Sequence, residues 1–241
     1  MSQVTNSTVI IDTGCANLSS VRYAFERLTK DVVVSDDHQV IKAATRVVLP
    51  GVGTAGAAMA SLNNKQLVEL IKNLDQPVLG VCLGMQMMTD KSREQGGRDA
   101  GDKAVNEKSV NEKSVNEKSA CECLGLIPTS ITDLDSQGLP LPHMGWNQIS
   151  PSSHPLFKGI PEGSYLYFVH SYKAPLSEFT IATCEYGERF SAAIAKDNFM
   201  GVQFHPEKSA EVGSQILRNF LALDKQAMKQ QIPTLNRESR A

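Results

Sequence analysis

Cys82 stands between two glycines in Gly80-Val81-Cys82-Leu83-Gly84. A nucleophile framed this way, between a short apolar run and an apolar helical stretch, has the pattern of a nucleophile elbow. The glycines permit a tight turn and close approach of neighbouring backbone. The turn lifts the side chain out of the sheet, and the start of a helix favours negative charge on the sulfur. The N–H of Leu83 then points to where an oxyanion forms during attack on a carbonyl. A buried structural cysteine beside incidental glycines is the plain alternative. A sulfur nucleophile also needs a base that takes its proton and later protonates the leaving group, and a third group that holds the base. His205-Pro206-Glu207 offers both, because Glu207 sits two residues past the ring, beyond a rigid proline. His38, His143, His154 and His170 compete as the base, although His38 and His154 lie in polar, loop-like stretches. Pro50-Gly51-Val52-Gly53 ends another apolar run and is either a plain turn or a set of backbone donors for an anion.

These groups need a scaffold. Residues 9–12, 32–34, 46–49 and 77–81 are short apolar runs that read as buried strands. Between them, residues 17–30 and 57–73 carry helical periodicity, and a short apolar helix follows Cys82 at 85–89. Strands alternating with helices predict a mainly parallel sheet covered on both faces. In such sheets ligands bind at the carboxyl ends of the strands, where Cys82 and the Pro50-Gly51-Val52-Gly53 turn fall. Farther on, residues 124–131, 165–172, 180–184, 191–195 and 200–204 read as strands at hairpin spacing, an antiparallel extension. A helix at 209–223 closes the fold.

Composition sets outer limits. The chain has 241 residues, 41% hydrophobic and 21% charged, an ordinary globular mix. Its 24 basic and 26 acidic side chains leave a net charge of −2, which gives no footprint for nucleic acid. No apolar run reaches the ~20 residues that span a bilayer, and the start of the chain lacks a secretory pattern. Five cysteines without C-x-x-C spacing fit a reducing cytoplasm rather than a disulfide scaffold. Cys121 and Cys123 lack partners at zinc spacing, so no metal is expected. Val-Asn-Glu-Lys-Ser occurs three times in succession over 105–119. A period of five builds neither a helix face nor a strand face, so the repeat reads as a loop insertion.

Three motifs together, Gly80-Val81-Cys82-Leu83-Gly84-Met85-Gln86, Pro50-Gly51-Val52-Gly53 and Gly201-Val202-Gln203-Phe204-His205-Pro206-Glu207, resemble class I (triad) glutamine amidotransferases, in the same order along the chain. Finer features are similar to the branch of that family that forms the glutaminase subunit of imidazole glycerol phosphate synthase. They are Ile11-Asp12-Thr13-Gly14, Asn17-Leu18-Ser19-Ser20-Val21, Pro142-His143-Met144-Gly145-Trp146-Asn147 and Tyr167-Phe168-Val169-His170-Ser171-Tyr172. The likeness departs at Ala16, where the family has glycine, and at the pentapeptide repeats. It implies a flavodoxin-like three-layer α/β sandwich: an amidotransferase domain at 8–223, an insertion at 96–120 and a polar tail at 224–241.

The resemblance also implies roles. Cys82 attacks the side-chain amide of L-glutamine, His205 moves the proton, and Glu207 orients His205. Leu83, Val52 and Gly53 form the oxyanion hole, with Val52 turning its N–H inward only after a peptide rearrangement. Gln86, Glu94, Ser171 and Tyr172 hold the glutamine. Asn17, Trp146 and Lys208 face a barrel-shaped cyclase subunit that receives the ammonia in histidine biosynthesis. No cofactor is implied. The alternatives are a glutaminase of another pathway, a cysteine peptidase-like hydrolase and a non-catalytic interaction module. The Pro142–Asn147 motif argues against the first, and the adjacency of His205 and Glu207 against the second. The complete Cys82, His205 and Glu207 set argues against the third.

Overall fold

The computed structural model describes residues 6–14, 18–94 and 120–226. The first part of the chain folds as β1 (Thr8–Ile11), α1 (Leu18–Glu26), β2 (Val32–Ser35), α2 (His38–Ala43), β3 (Arg46–Gly51), α3 (Ala55–Asn64), α4 (Leu67–Lys72), β4 (Val78–Cys82) and α5 (Leu83–Met87). Then come β5 (Lys91–Ser92), β6 (Cys121–Glu122), β7 (Ser130–Asp133), β8 (His143–Pro151), β9 (Ser164–His170), β10 (Tyr172–Lys173), β11 (Thr180–Tyr186), β12 (Glu188–Lys196), β13 (Phe199–Val202) and α6 (Ala210–Leu221). Nine strands form one sheet in the order β2-β1-β3-β4-β13-β12-β11-β8-β9. The first five are mutually parallel and the rest join antiparallel. A second, four-stranded sheet runs β10-β7-β5-β6.

The central strands are apolar throughout because both of their faces are covered. Every residue of β1 and β3 is buried. Alternate side chains feed two cores. Ile10 and Val48 pack with Phe25 of α1 and Phe220 of α6 on one face. Val9, Ile11, Val47 and Leu49 pack with Leu62 of α3 and Leu70 of α4 on the other. This is the three-layer α/β arrangement that the strand–helix alternation predicts. Among the described residues, no helix is long and apolar enough to cross a membrane.

Three expectations change. The single helix predicted over 57–73 is two, because Gln66 takes left-handed backbone (φ 56°) between α3 and α4. That break lets Lys65 reach the Asp12 carbonyl at 2.8 Å and the Asp36 carboxylate at 2.9 Å, tying the end of α3 to the loops after β1 and β2. The strand predicted over 124–131 exists only at its end, as β7. The N–H groups of Leu124, Leu126 and Ile127 instead bond the carbonyls of Met87 and Met88, at 2.9 to 3.0 Å. They satisfy groups that the end of α5 leaves without helical partners. Finally, β8 is a strand that the sequence pattern does not predict. Asn17, the pentapeptide repeats and residues 227–241 of the tail lie outside the described residues.

Candidate active site

β4 ends in Cys82, whose backbone (φ 54°, ψ −111°) lies in a region that side-chain-bearing residues rarely enter. Such a conformation costs on the order of 1–3 kcal/mol and persists where packing over-determines it. The packing here depends on glycine. A Cβ on Gly84 would lie 1.8 Å from the Leu49 carbonyl oxygen of β3, and one on Gly80 would lie 2.7 Å from the Gly84 backbone. α5 therefore sits against the ends of β3 and β4 at a distance that only bare backbone allows. Its first N–H groups have no intrahelical acceptors. Gly51 registers with Cys82 across β3 and β4, so Val52 and Gly53 leave the sheet beside the nucleophile position. Gly53 has φ 91° with open space where a Cβ would stand, and Thr54 then caps α3.

β13 lies on the other side of β4 and delivers Gln203, Phe204 and His205 to the same end of the sheet. His205 is 5% exposed. Its Nδ1 bonds Glu207 Oε1 at 2.8 Å, around Pro206, as the spacing predicts. This fixes the tautomer and turns Nε2 away from Glu207. Burial lowers the His205 pKa, but contact with the Cys82 sulfur and the bond to Glu207 outweigh it, and the ring is pushed up to about 10. Of the two, only the Glu207 contact has full hydrogen-bond geometry, since Nε2 makes no hydrogen bond. His205 Nε2, Glu207 Oε2 and Gln86 Oε1 are buried polar atoms without a partner. Unpaired buried groups cost about 1–3 kcal/mol each, and they concentrate where a ligand completes the set.

The other candidate residues gather around this centre. Gln86 on α5 is 2% exposed. The carbonyl of Val169 in β9 lies 3.9 Å from Cys82 Sγ, which brings the following Ser171 and Tyr172 to the same end of the fold. The Ser171 carbonyl accepts the Leu134 N–H at 3.1 Å, and Tyr172 pairs with Asp133 of β7. Glu94 is half-buried. Its carbonyl accepts the Ala55 N–H at the start of α3, and burial pushes its carboxyl up to about 7. Exposed Trp146 packs edge-on against Tyr167 at 6.0 Å, and Lys208 Nζ lies 5.7 Å from the centre of the Tyr167 ring. Trp146 and Lys208, far apart in sequence, thus share one aromatic and cationic surface.

The competing histidines have other partners. His143 Nδ1 and His170 Nε2 are 3.0 Å apart, and His170 Nδ1 donates to the Tyr172 carbonyl at 2.7 Å. Burial holds both low, to about 4 and about 3. In their neutral forms these bonds run one way, from His143 to His170 to Tyr172. His154 caps a 3-10 turn by accepting the Leu156 N–H. Burial raises the Cys121 and Cys123 thiols, the latter to about 12. Among the described residues, no group of three or more His, Cys, Asp or Glu could hold a metal. Two further residues at the centre are given no role by the sequence, although Gln203 lies within the Gly201–Glu207 motif. The Gln203 amide donates to Cys82 Sγ at 3.7 Å. The Ser209 hydroxyl donates to the His205 carbonyl. Neither residue type stands out in a sequence.

Residues 9–223 match the family described as glutamine amidotransferase class-I. The chain is 72% identical to the imidazole glycerol phosphate synthase subunit HisH of Shewanella sediminis, over 95% of this chain and 96% of that protein. It is 68% identical to the HisH of Shewanella loihica, over 90% and 91%. In fold it resembles a glutamine amidotransferase from Thermotoga maritima (TM-score 0.52, 16% identity, 95% of this chain and 93% of that one). The elbow, the buried base and these likenesses agree: the chain belongs to the class I glutamine amidotransferases, in the group of imidazole glycerol phosphate synthase HisH subunits.

Proposed function

We propose that the chain is the glutaminase subunit of imidazole glycerol phosphate synthase, and that Cys82, His205 and Glu207 hydrolyse L-glutamine. The bond from His205 Nδ1 to Glu207, beside the Cys82 elbow, is the observation that carries this reading. Cys82 Sγ, as thiolate, attacks the side-chain carbonyl carbon of glutamine, and the electrons of the carbonyl π bond move onto oxygen. The Leu83 N–H, joined by the Val52 N–H once its peptide has rearranged beside Gly53, receives the oxyanion. Collapse breaks the C–N bond. The departing nitrogen takes the proton from His205 Nε2 and leaves as ammonia, and a γ-glutamyl thioester remains. His205, now neutral, takes a proton from water as its oxygen attacks the thioester. Sulfur leaves as thiolate, and glutamate follows. Glu207 keeps the His205 ring oriented throughout, whether the ring is neutral or protonated. Gln86, Glu94, Ser171 and Tyr172 hold the substrate.

Trp146, Lys208 and Asn17 meet the cyclase partner in this reading, and ammonia passes to it for imidazole glycerol phosphate and aminoimidazole carboxamide ribotide synthesis. Met144 and Trp146 are 63% and 52% exposed on one strand, an apolar surface that suits a partner. The amidotransferase domain spans 8–223, with a repeat-containing insertion at 96–120 and 224–241 as a tail, and the complex works in the cytoplasm. The test is transfer of label. Glutamine carrying 15N in its amide is supplied to the chain with a cyclase partner and its nucleotide, in excess unlabelled ammonium. Labelled imidazole glycerol phosphate supports direct handover, whereas unlabelled product refutes it.

A further inference from the structure

A chain of buried amides ends on the nucleophile. Gln86 Nε2 donates to Gln203 Oε1 at 3.2 Å, and Gln203 Nε2 donates to Cys82 Sγ at 3.7 Å. Gln203 has no solvent exposure, Gln86 is 2% exposed, and Gln86 Oε1 has no partner. Each amide has donors at one end and an acceptor at the other, so the chain has a direction. In the observed direction Gln203 presents N–H to the sulfur, which suits a thiolate. Were both amides to turn over, Gln203 would present its carbonyl oxygen, which suits S–H, and Gln86 Oε1 would take the bond from Gln203. An N–H donor from a bound ligand at Gln86 Oε1 completes the observed direction and no other. Besides Gln203, the sulfur faces the Val169 carbonyl of β9 and the titratable ring of His205.

We infer that Gln203 is a further catalytic residue. It donates a hydrogen bond to the Cys82 sulfur, is held in that direction by Gln86, and so favours the attacking anion when a substrate N–H occupies Gln86 Oε1. The inference rests on the glutaminase reading for the substrate, since glutamine carries N–H donors at both its amide and its α-ammonium group. It does not depend on that reading for the sulfur contact.

Iodoacetamide alkylation of Cys82, read on its peptide by mass spectrometry from about pH 6 to about pH 9, isolates the contact, because the thiolate is the reacting form. Gln203→Glu keeps the length and replaces the donor with an acceptor, and Gln203→Met removes both polar atoms. Gln203→Glu is expected to alkylate about tenfold slower at neutral pH, the scale of a lost hydrogen bond to an ion. Its profile should move to higher pH. Glutamate release by the partnered enzyme should fall in kcat by a similar factor, with KM within about twofold. Gln203→Met and Gln86→Met should shift alkylation the same way by less. Wild-type alkylation rates in all three variants would overturn the inference. Should Gln203→Glu not fold, Gln203→Met decides on the same criterion. Absence of glutamate release in the wild type would instead defeat the glutaminase reading, while the alkylation series still judges Gln203.

Discussion

The main chains of His205 and Tyr167 are bonded to each other. The His205 N–H donates to the Tyr167 carbonyl at 2.8 Å. Ser209 closes the other side: its hydroxyl accepts the Tyr167 N–H at 2.9 Å and donates to the His205 carbonyl at 2.6 Å. Tyr167 belongs to β9, the last strand of the large sheet. The loop carrying His205 therefore occupies an edge that would otherwise present unpaired backbone. The same Tyr167 packs against Trp146 and Lys208, the residues proposed to meet the partner.

Ser209→Ala removes that link and leaves the Tyr167 N–H and the His205 carbonyl each short of a bond. The expected loss is about 1–3 kcal/mol of stability, a fall in Tm of several degrees for a chain of this size. Glutamate release should lose kcat more than KM, because the base is displaced and not the substrate contacts. Thermal unfolding together with steady-state kinetics checks both.

Gly84→Ala should abolish soluble folded protein, because its Cβ would stand 1.8 Å from the Leu49 oxygen. Relief requires moving α5 off β3 and losing core packing, at a cost of about 3 kcal/mol or more. Gly53→Ala meets nothing within 4 Å and is strained only by its φ of 91°. It should fold with a loss of roughly 1–2 kcal/mol. Expression and urea denaturation of the two variants separate the cases.

Stability should fall toward acid and toward alkali for different reasons. His143, His154 and His170 are held to about 4, 4 and 3, below the ordinary 6.5. Between about 6.5 and 4 the unfolded chain binds more protons than the folded one, so stability is lost as pH falls through that window. His205, raised to about 10, acts in the opposite sense. Its contribution is complete below about 6.5 and is lost as pH rises through about 10. His154→Asn keeps a capping acceptor and removes one titration. Urea midpoints should show it losing roughly 2–3 kcal/mol less than wild type between about pH 7 and about pH 4. Glu207→Gln should flatten the alkaline limb.

His170→Phe fits the surrounding ring cluster but removes the acceptor of the His143 N–H and the bond from His170 Nδ1 to the Tyr172 carbonyl. The expected result is a stability loss of about 2–4 kcal/mol. KM for glutamine should rise with a smaller change in kcat, because Ser171 and Tyr172 lose their support. An unchanged KM would remove these residues from the substrate contacts.

The elbow and the base are legible in the sequence because local covalent chemistry fixes them: glycines at set offsets around Cys82, and a glutamate two residues past His205. The parallel core is legible because strands buried on both faces are apolar throughout. β8 is hidden because its alternation is inverted. His143 and Asn147 point toward the fold while Met144 and Trp146 are exposed, the reverse of an ordinary half-buried strand. The split between α3 and α4 is hidden because Gln66 is no common left-handed residue, and Lys65 supports the break from its distant contacts with Asp12 and Asp36. Gln203 lies inside a legible motif, but its role is hidden until the fold sets Cys82 and Gln86 on either side of it.

The whole site turns on Cys82 as the nucleophile. The most direct measurement is glutamate release from glutamine by the chain with the proposed cyclase partner and nucleotide, comparing wild type with Cys82→Ala. The expected result is turnover in the wild type and a loss on the order of 10⁴-fold or more in the variant, with a γ-glutamyl adduct recovered only on the Cys82 peptide. Turnover retained in a folded Cys82→Ala protein would contradict it.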